Sequence, residues 1–403
     1  MNEKLTVRNF GPIKEAEVEF KRVTVFIGPT GGGKSTLAKL AAIFRDSYLF
    51  YGYDNSNAQQ QHYEDLIHQY DLNGYADLST RIEWYASDQV RASVQGGHIT
   101  IEKLGPAPQL RLNEQPIIPA ELLRDPHALK KHFAQLSANE LAQLVTEALA
   151  QRDRLIPRVV PVAFYVPADR AFASAVMNAA AGLQNADVAL PRSLLAFMAE
   201  FEVARKNVVS LPLPFFNATY FHESEINQLM LPSGRRVPLA QAASGLQAVV
   251  PVLVTLADRT QAQLQDNRAA CYFFVEEPEI SLFPKAQRFM LEELVSQCTK
   301  VDDMLAVNTH SPYILSHLNL LLYAHQVASQ YPERAEEVTQ LVPRASWINP
   351  KDFAAYYVGE NDVHSIVDAD SGLIDSNALD EIAGDQADAF DNLIRLTKRV
   401  SAS

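Results

Sequence analysis

Cysteine is nearly absent from this chain: Cys271 and Cys298 are the two among 403 residues. Both lie in apolar segments and two residues cannot build a disulfide framework, so they read as small core side chains. No apolar run reaches the roughly 20 residues that span a bilayer, and the start MNEKLTVRNF is not a signal peptide. These absences predict a cytoplasmic protein with no membrane partner. A surplus of positive charge is missing too. The formal net charge of −13 argues against a dedicated nucleic-acid coat, which carries a basic footprint, but leaves room for a local basic groove. Internal repeats and heptads long enough for an extended coiled coil are also lacking. What is there is a chain 47% hydrophobic and 21% charged, able to bury a large core in two or three domain-sized units.

One stretch organises the rest. Val23 to Ile27 reads as a buried strand, and Gly28, Pro29, Thr30, Gly31, Gly32, Gly33, Lys34, Ser35 and Thr36 follow as a loop and helix start. Gly28, Gly33, Lys34 and Ser35 fit the phosphate-binding pattern G-x-x-x-x-G-K-[ST]. Glycines are needed there because the backbone must turn its N–H groups inward around an anion, where a Cβ would obstruct. The helix start adds unpaired N–H groups and the positive end of its dipole. Lys34 is expected on the β- and γ-phosphates and Ser35 on Mg²⁺. The alternative, an ordinary glycine-rich turn, is disfavoured by the β-branched strand before the loop and by Leu37, Leu40, Ala41 and Phe44 at helical spacing after it. ATP and Mg²⁺ are therefore the expected cofactors.

Before this loop, Lys4–Phe10 and Ala16–Phe20 alternate like strands around a turn at Gly11–Pro12–Ile13. From Asp46 to about Asn73 the pattern weakens and reads as a solvated insertion; His62 and His68 are wrongly spaced for a helical metal pair. Ser79–Trp84, Gln89–Val94 and His98–Lys103 form a meander turned at Gly96–Gly97. Ser137 and Glu140 make a capping-box signature before Leu141, Leu144, Val145, Ala148 and Leu149. Arg152, Arg154 and Arg158 read as a solvated helix end, with DNA contact as the alternative. Val159–Val166 suits a buried strand leading into Pro167–Ala168–Asp169–Arg170. Leu194, Phe197, Met198 and Phe201 stripe one helix face, and Asn227–Leu231 with Arg235–Leu239 is a hairpin candidate. The expected divisions are a discontinuous head (1–45, 159–170 and 226–403), an insertion with a β meander and helices (46–158) and a helical insertion (171–225).

Cys271–Val275 is a fully apolar strand that ends in Glu276–Glu277–Pro278–Glu279, and sites form at the carboxyl ends of such strands. One acid there can hold Mg²⁺ through water while another orients or deprotonates the attacking water. Glu276 is given the first role and Glu277, as catalytic acid, the second. Met304–Val307 is a further strand ending in Asn308–Thr309–His310–Ser311–Pro312, with Ser311 and Pro312 suited to a helix start. His310 could there touch a γ-phosphate. Ala243–Ser244–Gly245–Leu246–Gln247 opens another helix, with Ser244 as its cap and Pro251 predicting a kink. This is a second anion-binding device, and a spare one is explained if it serves the nucleotide of a second copy.

The order of phosphate loop, Ala-Ser-Gly-Leu-Gln, apolar strand with Glu-Glu-Pro-Glu, and Thr-His-Ser-Pro resembles the ABC-type ATPase head of the RecF, SMC and OLD class. The resemblance covers about Lys4–Ala42 and Val159 to the C-terminus. It implies an α/β fold: an ABC-type P-loop head with a mixed central sheet, an antiparallel β subdomain and mainly helical insertions. It also implies a homodimer, or a higher oligomer built from it, with ATP sandwiched between heads. Ser244, Gly245 and Gln247 would be the signature that contacts ATP across the dimer, Glu277 the catalytic acid, His310 the switch histidine and Ser281–Pro284 a dimer-contacting loop. Tyr165–Arg170 resembles a Pro-Ala-Glu-Arg segment of the OLD-like branch, with Asp169 replacing Glu; a Gln-loop glutamine is not assignable. OLD proteins carry a C-terminal TOPRIM nuclease. Here Asp368 and Asp370 follow Val363–Val367, but the tail is too short for that domain, and Asp375, Asp380, Glu381, Asp385 and Asp388 read as polar helix faces. Similar nuclease-free heads are ATPase subunits of Septu-type, PARIS-type and retron-linked anti-phage systems. The implied function is a regulatory ATPase controlling a separately encoded effector, a nuclease or toxin. The competing one is a RecF-like, ATP-gated DNA-binding repair or chromosome-maintenance protein, kept open by the Arg152–Arg158 and Arg235–Arg236 clusters.

Overall fold

A computed structural model describes residues 3–46, 49–50, 56–86, 90–104, 162–176, 190–265, 270–359 and 362–375. The chain opens with a hairpin, β1 (Glu3–Phe10) and β2 (Ile13–Phe20), then β3 (Val23–Ile27) and helix α1 (Lys34–Ile43). Helix α2 (Ser56–Gln69) precedes a meander of β4 (Ala76–Ala86), β5 (Val90–Gln95) and β6 (His98–Lys103). Strand β7 (Val162–Val166) leads into the short α3 (Arg170–Val176), followed by α4 (Arg192–Asn207). Next come β8 (Ser210–Leu213), β9 (Ala218–Glu223), β10 (Ile226–Met230), β11 (Arg236–Pro238) and the long α5 (Ser244–Gln265). Strands and helices then alternate: β12 (Cys271–Glu276), α6 (Pro284–Cys298), β13 (Met304–Thr309) and α7 (Pro312–Gln330). Helix α8 (Ala335–Leu341) precedes β14 (Phe353–Val358) and β15 (Val363–Ser365).

The central sheet runs β15-β14-β3-β13-β12-β7, parallel except for its edge strand β15. Its inner strands β3, β12, β13 and β14 are mostly apolar and buried because both faces are covered. Val23, Val25 and Ile27 of β3, with Phe273 and Val275 of β12, face a core shared with α4 to α7. Phe26, Tyr272 and Phe274 face the other way, into a core shared with α1, α2 and the first antiparallel sheet. Each such side chain contributes about 1.5–3 kcal/mol when fully buried. Cys271 and Cys298 are free and buried, as read from their surroundings. This is the expected α/β class, a mixed central sheet with antiparallel β sheets beside it.

The meander is continuous with the entry hairpin: β4 pairs with β1 over Glu3–Phe10, giving one antiparallel sheet of order β2-β1-β4-β5-β6. Ile82, Trp84 and Val94 bury the same core as Leu5 and Val18, so this part of 46–158 shares a core with the head. Within 171–225, helix α4 carries the expected stripe of Leu194, Phe197, Met198 and Phe201, all buried. From Ser210, however, that segment is strand rather than helix: β8 and β9 join the β10–β11 hairpin in a four-stranded sheet. The cause is the pair Tyr220 and Leu229, opposite each other in the β9–β10 register and both buried. Between Asp46 and Asn73, helix α2 occupies what reads as an unpatterned insertion; Tyr63 and Leu66 are its buried residues. The capping-box helix at Ser137–Leu149, the Arg152–Arg158 cluster and the tail acids from Asp380 onward lie outside the described residues.

Candidate functional site

The carboxyl ends of β3, β12 and β13 lie side by side in the parallel sheet, and each delivers one part of the site. From β3 the chain turns through the glycine loop into α1, whose first residue is Lys34. The loop lies flat on the end of β14: a Cβ on Gly28 or Gly32 would come within 2.2 or 2.4 Å of the Val358 carbonyl oxygen. Glycine is therefore required by close approach as well as by the anion it would face. Lys34 is buried, and its Nζ donates to the carbonyls of Gly28 and Pro29 at 2.8 Å each. Burial lowers its pKa to about 8, against the opposing pull of Glu277, Glu279 and Glu276. Ser35 is exposed on the first turn, whereas Thr36 is buried.

Strand β12 ends on two acids with different surroundings. Glu276 is buried; its Oε1 accepts from the Tyr165 hydroxyl at 2.7 Å and its Oε2 from the Ala168 N–H at 3.2 Å. Glu277 is half-buried in the left-handed backbone region at φ 42°, which costs a non-glycine residue about 1–3 kcal/mol. Its N–H donates to the Asn308 carbonyl at 2.7 Å, and its carbonyl accepts from Arg170 at 2.7 Å. Desolvation raises its pKa, and His310 pulls the other way.

Strand β13 supplies His310, with Nδ1 3.5 Å from Lys34 Nζ and Nε2 3.6 Å from Glu277 Oε1. Glu279 fixes this histidine: its Oε1 accepts from the His310 N–H at 2.7 Å and the Thr309 hydroxyl at 2.8 Å. Ser311 is the N-cap of α7 with Pro312 in its first turn, but its hydroxyl donates to Gln287 Oε1. Lys34, His310 and Glu277 are thus brought into one line. Sequence reasoning gave no role to Glu279 or Arg170. The Glu-Glu-Pro-Glu spacing was a signal for the first; the second had only its place after Pro167.

The other predicted contacts sit elsewhere. Ala243 and Ser244 are exposed. The Leu246 and Gln247 N–H groups donate to the Ala243 carbonyl, so Ala243 stands at the cap and Ser244 is the first helical residue. A Cβ on Gly245 would meet the Ser281 carbonyl oxygen at 2.8 Å, placing this helix start on the 281–282 turn. The Gln247 side chain donates to Ala240 and Ala242 and so braces the turn before the helix. Among the described residues no hydrogen bond joins Ser244, Gly245 or Gln247 to the phosphate loop. Asp368 and Asp370 lie on an exposed turn where the Asp368 carboxylate accepts from the Ser371 N–H. Arg236 pairs with Glu223 at 2.5 Å, so this basic cluster is partly neutralised.

The site fits a Mg²⁺ nucleotide. The loop is pressed onto the Val358 carbonyl at Gly28 and Gly32 while Gly31 borders open space, Ser35 is exposed beside it, and Glu276 has acceptor capacity beyond its two bonds. Asn308, paired with Glu276 across β12 and β13, has both side-chain amide atoms buried with no partner, as has Glu279 Oε2. Such orphaned polar groups call for an ion, water or ligand group.

Residues 4–179 match the family described as AAA domain, and residues 193–315 match the one described as AAA ATPase domain. No curated protein matches the chain. Among solved structures the chain is similar to the Smc head domain of Pyrococcus furiosus, solved with an extended coiled coil and bound to the C-terminal domain of ScpA. Identity is 12%, with 90% of this chain and 96% of that chain covered, at a TM-score of 0.36. The first match contains the phosphate loop and the second the acidic strand end, and with them the chain reads as an ATP-binding P-loop ATPase of α/β fold. No helix among the described residues is long and apolar enough to cross a membrane.

Proposed function

We propose that this chain is an ATP-hydrolysing regulatory subunit whose heads close on one another around ATP and thereby control a separately encoded effector. The observation that carries the hydrolytic part is the line of Lys34, His310 and Glu277, each within 3.6 Å of the next. Lys34 and the glycine loop hold the phosphates, Ser35 and Glu276 hold Mg²⁺, and His310 meets the terminal phosphate. Glu277 takes the proton of the attacking water; its raised pKa and half-exposure suit a base that must reach solvent. When bound, Mg²⁺ would neutralise charge on the phosphate oxygens. Ser244 is exposed and, with Gly245 beside it on the 281–282 turn, would meet the nucleotide of the second copy, while Gln247 shapes the turn before them.

Hydrolysis in this arrangement serves as a switch. ATP can bias an open–closed equilibrium only by binding the closed form more tightly, by about 5.5 kcal/mol for a near-complete shift, and two composite sites could supply that. The effector, a nuclease or toxin, would be held through residues 46–158 or 171–225, and anti-phage defence is the setting that the resemblance of the motifs suggests. Pairing of Arg236 with Glu223 weakens the alternative of a DNA-clamping head. The test is direct. The purified chain with Mg²⁺ and ATP should cut neither plasmid nor phage DNA, and a pull-down from its native host should recover an effector only in one nucleotide state. Nuclease activity that co-purifies with the chain and disappears on Asp368→Ala or Asp370→Ala would move the function into the tail.

A further inference from the structure

Arg170 is fully buried, and although Glu276, Glu277 and Glu279 act on it through space, among the described residues it forms no salt bridge. Its guanidinium instead donates to four backbone carbonyls. Nε reaches Ala248 at 3.2 Å; Nη1 reaches Pro167 at 3.1 Å and Glu276 at 2.7 Å; Nη2 reaches Glu277 at 2.7 Å. Burial lowers its pKa only to about 10, so it keeps its charge at neutral pH. One side chain therefore joins the β7–α3 corner, the first turns of α5 and the end of β12.

The α5 end of this link is built on an opened helix. Pro251 lies inside α5 and has no N–H, so the carbonyl four residues earlier, Gln247, loses its helical donor. Ser174, also on α3, takes that vacancy: its hydroxyl donates to the Gln247 carbonyl at 2.8 Å. The next carbonyl, Ala248, is the one held by Arg170. Helix α3 thus grips two consecutive carbonyls on the helix that starts with Ser244 and Gly245. At the other end it grips the carbonyls of Glu276 and Glu277. The Glu277 backbone is bound on both sides: its N–H donates to the Asn308 carbonyl, and its own carbonyl accepts from the Ile280 N–H at 3.0 Å and from Arg170 at 2.7 Å. A non-glycine residue stays in the left-handed region only when its surroundings over-determine it; here a local turn bond is joined by two from distant elements, and of the three Arg170 alone ties Glu277 to α3.

We propose that Arg170 is a positioning residue for Glu277, and that helix α3 carries a displacement of the α5 start to the carboxylate beside His310. This rests on the reading of Glu277 as the hydrolytic acid and of the α5 start as the part that meets a second nucleotide. The link makes hydrolysis sensitive to whether Ser244 and Gly245 are engaged, with no hydrogen bond between them and the acid among the described residues.

The test compares Arg170→Lys, Ser174→Ala and Glu277→Gln in the full chain. It measures kcat per titrated ATP site, KM, ATP affinity by calorimetry and thermal melting. Lysine keeps the charge but not the fork that reaches four carbonyls. Arg170→Lys should lose about a hundredfold in kcat, the scale of a misplaced catalytic group, with ATP affinity unchanged. Ser174→Ala should lose about fivefold, the scale of one hydrogen bond, again with affinity unchanged. Counting per bound site removes the part of any loss that comes from unfolded protein. If Glu277→Gln turns over like the wild type, the assignment of the acid fails. If Glu277→Gln is slow while both α3 variants keep wild-type kcat, the link alone is overturned. A change confined to KM would also overturn it, since the link would then serve the nucleotide and not the acid. Should Arg170→Lys show no cooperative melt, Ser174→Ala decides, and wild-type kcat there sinks the proposal.

Discussion

Two helices of this protein begin with glycine and a hydroxyl residue, and they begin in opposite circumstances. Helix α1 starts at the buried Lys34, on a loop floored by the Val358 carbonyl. Helix α5 starts at the exposed Ser244, beside the 281–282 turn, with no basic residue in its first turn. A helix start alone favours an anion by about 0.3–1 kcal/mol at an exposed surface, too little to hold a nucleotide. The start of α1 adds a desolvated cation and a loop shaped to the phosphates; the start of α5 adds neither. The first is a binding site within one chain. The second can act only on a nucleotide that is already held, as the composite-site reading requires.

The strongest way to break this contrast is to empty the first site. Lys34→Ala removes the one charge that the loop donates and should abolish ATP binding; unchanged affinity in a calorimetric titration would sink the assignment of the site. Next comes the second helix start. Ser244→Arg should leave ATP binding to each head intact while blocking ATP-dependent dimerisation and hydrolysis. Mixed with Lys34→Ala protein it could rebuild at most one composite site per heterodimer. Sedimentation in which Ser244→Arg dimerises with ATP like the wild type would remove the difference between the two helices.

A smaller effect separates binding from chemistry at the first site. Glu277→Gln should bind ATP normally and turn over about a hundredfold more slowly, the usual scale for a positioned base. If Glu276→Gln is the slower hydrolyser while still binding Mg²⁺–ATP, the roles of the two acids are exchanged. The mildest test uses pH. Without a phosphate, Lys34 titrates at about 8, and a bound phosphate raises it. Protons are then taken up on binding above that pH, so affinity should be flat below about 8 and fall about tenfold per unit above it. An affinity that stays level to pH 9.5 would mean that Lys34 is cationic throughout.

Sequence reading reached the parts of the site that depend on local chemistry. The glycine loop is legible because a backbone wrapped on an anion tolerates few other residues. Strand β12 is legible because Cys271–Val275 must be apolar on both faces. What stayed hidden was long-range. Arg170 acts on carbonyls, and a carbonyl has no residue identity to search for, so only the fold reveals its partners. Helix α2 buries just Tyr63 and Leu66, too few to print a period. Strand β8 carries Pro212 and a single buried residue, Leu213, and its strand character comes from pairing with β9. Strand β14 is apolar enough, but nothing in Phe353–Val358 says that it lies against β3.

That last pairing has a consequence for the order in which the protein is made. The phosphate loop occupies positions 28–36 and is made long before the carbonyl beneath Gly28 and Gly32, which belongs to Val358. On one side β3 pairs with β13, and on the other with β14. A nascent chain that already displays the whole loop still lacks its floor and one flanking strand. Both arrive only when residues 353–358 leave the ribosome. ATP affinity should therefore appear late in translation, and a fragment stopped before Phe353 would carry the full motif without the site.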